Sequence, residues 1–278
     1  MPATIPESER PPSTAIDTTT PSIARAYDYA LGGKDNYEVD RELLRQLNAA
    51  VPEVASIAIT NRSFLIRAVR FLSMQAGIDQ YLDCGSGLPT AENTHQVAQR
   101  LNPQARVVYV DNDPVVLAHG RALLEENENT AFLGADIFNP PEVLEAETVR
   151  RLLDFSRPIG LLQVATMHHH SADFGLPPAE VMRSYIDALP SGSYVAFTHF
   201  FDPENEHSEV AQRVQTILNS SISKGFFRTR AEIMQMLEGL ELVEPGLVVN
   251  DEWWPDGPRI KPLPAAGHCI VGAVGRKP

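Results

Sequence analysis

The stretch Tyr81-Leu82-Asp83-Cys84-Gly85-Ser86-Gly87 decides the fold. A short apolar run meets two glycines separated by one serine, and helical periodicity follows. The run predicts a buried strand, and the glycines predict a tight strand-to-helix turn where a ligand can approach the backbone. Working outward toward the C-terminus, the same alternation returns. Residues 106–110 form a β-branched run ending at Asp111, and residues 130–133 a third strand followed by Gly134-Ala135-Asp136-Ile137. Residues 159–165 form a fourth strand, followed by Met167-His168-His169-His170. Residues 194–198 form a fifth, followed by His199-Phe200-Phe201. Residues 90–101, 115–126, 142–154 and 179–189 between them carry helical spacing, with Pro114 suited to a first turn. Such alternation predicts a parallel sheet with helices on both faces.

The end of the chain breaks the pattern. Residues 204–220 and 229–237 predict helices, but 242–249 and 268–274 predict two strands with no helix between them, which should pair antiparallel. The expected fold is α/β, a doubly wound and mostly parallel seven-stranded sheet with an antiparallel strand near the C-terminus. Working outward toward the N-terminus, residues 22–31, 39–50 and 54–75 show helical spacing, the first stopped by Gly32-Gly33 and the third striped by Ile57, Phe64, Leu65, Ala68, Val69 and Leu72. Three units are therefore expected: a disordered tail over 1–21, rich in Pro, Ser and Thr; a helical cap or lid over 22–76; and the sheet domain over 77–278.

The 278 residues are 43% hydrophobic, enough for a real core, and carry a net charge of −13. With a pI of about 5.0 the chain lacks the basic footprint of a nucleic-acid binder or of a protein held on an anionic membrane. No signal-peptide core and no bilayer-length apolar run occurs, so a cytoplasmic location is expected. Cys84 and Cys269 lie in separate apolar runs without metal-ligand spacing and read as buried, reduced thiols.

Three strand ends carry the chemistry. The turn Gly85-Ser86-Gly87 permits close approach of a ligand; Asp111 at the second strand end can accept hydrogen bonds from both ribose hydroxyls of an adenosine. Asp136 offers an acceptor for an adenine amino group, with Ile137 against the ring. A dinucleotide site would prefer a third glycine, but Leu88-Pro89-Thr90 follows, and Pro89 lacks an amide donor. Asp83 adds negative charge, which suits a cationic ligand such as S-adenosylmethionine, with its sulfonium and amino group, better than pyrophosphate. NAD is the alternative cofactor, and an NAD-dependent oxidoreductase the corresponding alternative activity.

Those motifs, with the fourth strand ending in Met167-His168-His169, resemble the successive motifs of class I methyltransferases. The run 24–37, containing Tyr27-Asp28-Tyr29-Ala30-Leu31-Gly32-Gly33-Lys34-Asp35-Asn36-Tyr37, resembles the signature of an actinobacterial family of S-adenosylmethionine-dependent methyltransferases catalogued as DUF574. So do residues 85–90, 108–116 and 272–278, and the likeness extends from Ser22 to the C-terminus. Met167 and His170 depart from the family pattern, which bears on pocket shape. The resemblance implies a methyltransferase acting on a small-molecule acceptor, with a catalytically silent, cofactor-binding regulator as the alternative. The expected cofactor set is Asp83, Gly85, Ser86, Gly87, Asp111, Asn112, Asp136 and Ile137, with Arg62, next to Asn61 on the third helix, either a bidentate partner for the cofactor carboxylate or a surface residue.

His168, His169 and His199 are the candidates for a proton acceptor beside the methyl donor. Tyr27, Tyr29, Lys34, Asn36 and Tyr37 are expected to face substrate from the folded-over leader, and Phe200 to line the acceptor pocket. The three consecutive histidines lack a carboxylate or cysteine partner, so no metal site is expected. Trp253-Trp254 fits either a planar substrate or a gap at the sheet edge.

Overall fold

The computed structural model describes residues 16–89, 92–123, 127–221 and 224–278. In chain order the elements are α1 (Ile23–Ala30), α2 (Glu38–Ala50), α3 (Ser56–Met74), β1 (Gln80–Cys84), α4 (Thr94–Leu101), β2 (Arg106–Asp111), α5 (Pro114–Leu123), β3 (Thr130–Gly134), α6 (Pro140–Leu144), α7 (Glu147–Leu152), β4 (Gly160–Val164), α8 (Pro178–Ala188), β5 (Tyr194–Phe200), α9 (Ser208–Ser220), α10 (Arg230–Met236), β6 (Glu241–Leu242), β7 (Val248–Val249) and β8 (Ile270–Arg276). The sheet runs β3-β2-β1-β4-β5-β8-β6, with β7 also on β8. β1 to β5 pair parallel, and β8 is antiparallel to β5, β6 and β7.

Two sequence expectations change in detail. The single strand expected over 242–249 is two short ones, because Pro245 has no amide and Gly246 turns the chain at φ +83°. Both sit on the same edge of β8, so the sheet holds eight strands rather than seven. The helix expected over 142–154 splits at Glu145 into α6 and α7. Thr90, Glu125, Glu126 and residues 1–15 of the expected tail lie outside the described residues. Asp17 and Thr20, within the expected tail, have their carbonyls held by the Arg25 guanidinium at 3.1 and 2.5 Å.

Side-chain alternation along the strands builds two cores. Leu82, Cys84, Val108, Val110, Leu161 and Phe197 face α6, α7, α8 and α10; Tyr81, Val107, Tyr109, Leu162 and Ala196 face α3, α4 and α5. Phe64, Leu65, Ala68, Val69 and Leu72 of the α3 stripe are buried in this second core, and Ile57 in a third. Trp253 fills the second core, edge-on to Phe64 with ring centroids 5.3 Å apart. The third cluster joins α1, α2 and α9 to Ile270. α1 is started by Ser22, and its link to α2 is pinned by the buried Arg25–Asp40 ion pair at 2.8 Å. No helix among the described residues is long and apolar enough to cross a membrane.

Candidate active site

The turn after β1 rests on β2. Gly85 and Ser86 donate their amides to the Val110 carbonyl at 2.7 and 3.1 Å. Gly87 donates to Asp111 Oδ2 at 2.9 Å, and Asp111 Oδ1 accepts from the Asp113 amide at 3.0 Å. Gly85 has φ +73°, and a Cβ there would stand 2.4 Å from Thr166 Cγ2, so the position requires glycine twice over. Asp113 caps α5 through the Val115 amide at 2.8 Å and accepts the Ser22 hydroxyl at 2.6 Å, tying α1 to the second strand end.

These tips surround a cavity of about 270 Å³. Asp83, Gly85, Ser86, Gly87, Asp111, Asn112, Ile137 and Arg62 all line it, as do Ser22, Tyr27 and Asn61 from the helices above. Asp136 does not: its carboxylate turns back to accept the Phe138 amide at 2.9 Å, and Phe138 faces the cavity in its place. Burial raises the Asp83 carboxyl to about 6, the neighbouring Asp111 charge adding to the rise and the Thr94 hydroxyl and Arg62 opposing it. Burial also raises Asp111, against the amides of Asp113 and Gly87. Two carboxylates held this way favour a cation between them.

A second cavity of about 110 Å³ adjoins the first. Ile23, Tyr27, Asn61, Ala165 and His169 line both. Its remaining walls are His168 and apolar side chains of α1, α2, α3, α9 and the α2–α3 link, closed by Phe200 and Ile270. At the junction a hydrogen-bonded chain runs across the fold. The Ala165 amide donates to Thr198 Oγ1 (2.8 Å), which donates to Asn61 Oδ1 (2.7 Å); Asn61 Nδ2 donates to Tyr27 Oη (3.0 Å), which donates to the Ala58 carbonyl (3.1 Å). Ala165 holds φ +62°, a strained conformation for alanine, at the end of β4. Sequence reading missed Asn61 and Ala165. A polar residue inside the apolar stripe of α3 was the one signal for Asn61; nothing local marks Ala165.

The three candidate histidines separate. His199 lines neither cavity: it is fully buried, its Nδ1 donates to the Phe200 carbonyl at 2.6 Å, and its Nε2 accepts from Arg228 at 2.8 Å. Burial and that guanidinium push it down to about 3. His168 is buried, stacked on Phe200 with centroids 3.5 Å apart. His169 alone borders both cavities; its Nδ1 donates to the Lys224 carbonyl at 2.6 Å, which leaves the lone pair on Nε2.

Of the leader residues, Tyr27 faces both cavities, whereas Tyr29, Lys34, Asn36 and Tyr37 face neither. Tyr29 packs into the third cluster, Asn36 holds Asp28 at 2.8 Å, and Tyr37 begins α2 over Arg25. The Gly32-Gly33 bend serves that hairpin: a Cβ on Gly33 would overlap Asp28. Phe200 lines the second cavity, as expected. Trp254 lies away from both, its indole donating to the Glu244 carbonyl at 2.9 Å. Among the described residues no group of three potential ligands is placed to hold a metal.

The lining fits S-adenosylmethionine. Ser86 Oγ is buried without a partner among the described residues, the glycine turn leaves the backbone approachable, and paired carboxylates await a cation. Pyrophosphate fits poorly, because the Asp83 and Asp111 carboxylates line the same cavity and repel an anion. A doubly wound sheet closed by an antiparallel strand, with this site at its carboxyl edge, defines a Rossmann-like, class I methyltransferase fold. The S-adenosyl methyltransferase family matches residues 9–278; the chain belongs to that family, also catalogued as DUF574, and S-adenosylmethionine is its cofactor. The crystal structure of a candidate methyltransferase from Thermobifida fusca YX is 44% identical, with a TM-score of 0.89 over 96% of this chain and 98% of that one. A DUF574 family protein from Streptomyces avermitilis MA-4680 is 37% identical, with a TM-score of 0.88 over 95% of this chain and 100% of that one. No curated protein matches.

Proposed function

We propose that the chain transfers the cofactor's methyl group to a small-molecule acceptor at the junction of the two cavities. The carrying observation is that Asp83, buried, and Asp111, half-buried, line one cavity beside the glycine turn, which favours a cationic adenosyl ligand. In this reading Asp111 takes the ribose hydroxyls, Asp83 faces the amino group, Arg62 meets the carboxylate, and Ile137 with Phe138 flanks the adenine. Asn112 and the Gly85-Ser86-Gly87 backbone complete the surround. Asp136 acts indirectly, by fixing the Phe138 amide.

When bound, the cofactor supplies an electrophilic methyl on a sulfonium. The protein's contribution is position and dryness. α1 roofs both cavities through Ile23 and Tyr27, and the Ser22–Asp113 bond holds that roof to the cofactor side. Helices α1 and α2 would thus act as the cap, while α3 stays with the sheet. Titration calorimetry with S-adenosylmethionine and with NAD tests the cofactor assignment; tight binding of NAD alone would sink it. Mass-spectrometric detection of S-adenosylhomocysteine in the presence of a metabolite extract tests transfer. Cofactor binding without any turnover across extracts would instead identify a silent sensor.

A further inference from the structure

The second cavity is left unexplained by cofactor binding. Among the described residues no Asp, Glu, Lys or Arg lines it, although the chain is 21% charged. Its walls are Leu43, Leu47, Val54, Val214, Leu218 and their neighbours. Its volume of about 110 Å³, adjoining the first cavity, limits the occupant to one small ring; for scale, an apolar cavity of about 150 Å³ takes up benzene. A charged group placed there would be desolvated without a partner and rejected. The opening toward the cofactor is the opposite: Tyr27, Asn61 and His169 are its polar edge. Tyr27 and Asn61 are already hydrogen-bonded to each other, whereas the Nε2 lone pair of His169 is open to an acceptor.

We infer that the acceptor is an uncharged, single-ring hydroxyl compound of phenol type, its ring in the second cavity and its hydroxyl on His169 Nε2. The inference rests on the methyl-transfer reading of the adjoining cavity. An alkylamine would arrive as a cation with no carboxylate to meet it in the apolar chamber. A phenolic hydroxyl, with a pKa of about 10, gives up its proton to a neutral imidazole far more readily than an aliphatic alcohol does. Burial keeps His169 below its usual range and therefore neutral, the form able to accept a proton. In the step, the acceptor oxygen bonds to the methyl carbon as the sulfur–methyl bond breaks, and that electron pair stays on sulfur. The hydroxyl proton passes to His169 Nε2. The products are a methyl ether, a neutral thioether and an imidazolium.

The test uses the full chain with p-cresol as the neutral probe, and 4-hydroxybenzoate and tyramine as the same ring carrying a carboxylate or an ammonium. With S-adenosylhomocysteine bound, p-cresol should bind at least about tenfold more tightly than either charged analogue. Filling the chamber by Ala30→Phe, or independently by Val214→Phe from the opposite wall, should abolish p-cresol uptake while S-adenosylhomocysteine affinity stays within about threefold. That affinity also reports folding of the variants. Turnover of p-cresol should fall about 100-fold in His169→Asn, with p-cresol affinity falling by no more than about tenfold, the share of one hydrogen bond. Equal binding of the charged analogues, undiminished p-cresol binding to both filled variants, or bound p-cresol without any turnover would overturn the inference. Failure of S-adenosylhomocysteine to bind the wild-type chain would instead overturn the reading beneath it.

Discussion

The two chambers share five residues yet are built by opposite means. The polar one is built largely from turns that follow β1, β2, β3 and β4, under α1 and α3; Gly85 and Ser86 are fixed to the Val110 carbonyl and Ala165 to the Thr198 hydroxyl. The apolar one lies between helices α1, α2, α3 and α9, closed on the sheet side by Phe200 of β5, Ile270 of β8 and the turn after β4. One is carried by the sheet; the other hangs largely on a leader anchored by a few polar contacts. The contrast teaches where each chamber is vulnerable: the polar one to single-atom changes at a strand tip, the apolar one to whatever loosens α1 from α2.

The largest expected effect breaks the leader's anchor. Asp40 is fully buried; it pairs with Arg25, and accepts the amides of Ser22 at 2.9 Å and Tyr37 at 2.8 Å. Asp40→Ala leaves the Arg25 charge buried and unpaired, which costs about 3–5 kcal/mol. Hydrogen exchange should show α1 and α2 amides losing protection while β1 to β5 keep theirs. Uptake of small apolar ligands should be lost and S-adenosylhomocysteine binding weakened by less. Equal loss in both chambers would erase the distinction between them.

Next comes the strand tip. Asp111→Ala removes the acceptor proposed for two ribose hydroxyls, and charge-assisted hydrogen bonds are worth about 1.5–3 kcal/mol each. S-adenosylmethionine affinity by calorimetry should drop about 100-fold or more, with the melting temperature nearly preserved because burial of the carboxylate is relieved as the Gly87 and Asp113 bonds are lost. An unchanged affinity in the folded variant would remove the ribose role.

The same contrast explains what could be read in advance. The polar chamber was legible because its determinants are local. Gly85-Ser86-Gly87 and Asp111 each end a periodic segment, and eight of the nine cofactor-side positions, all but Asp136, line the cavity. Sequence gives the place of Asp136 on its loop but not the direction of its carboxylate, which accepts the Phe138 amide two residues on. The apolar chamber was mostly illegible. Leu47, Val214 and Ile270 are ordinary core residues in their own segments, and only tertiary packing turns them toward one space. His199 was misassigned for a related reason: it belongs to β5 itself, which extends to Phe200, so its ring enters the core rather than following the strand out to the edge. The leader's polar residues were read as substrate contacts, yet Asn36 and Tyr37 are spent on building the hairpin that positions Tyr27.

The smallest expected effect sharpens the comparison through pH, since ionisable carboxylates line only the polar chamber. Asp83 sits at about 6 in the folded chain, above its ordinary 3.8, chiefly through burial, so folding favours its neutral form. Stability from this group is present at pH 4 and is lost as pH rises through 6, because the folded state binds more protons than the unfolded one in that window. Binding of a cation runs the other way: the proton must leave before the sulfonium and ammonium can use the charge. Between pH 5 and pH 7 the affinity for S-adenosylmethionine should rise about tenfold, with proton release on binding, while uptake of a neutral apolar probe stays flat. Asp111, also raised, pushes in the same direction, and Arg62 and the Thr94 hydroxyl oppose it at Asp83. Asp83→Asn should therefore flatten the affinity slope, leaving the part due to Asp111, and raise the melting temperature of the ligand-free chain at pH 7. A slope that persists in full in Asp83→Asn would assign the titration elsewhere and leave the cationic preference of the polar chamber without its proposed source.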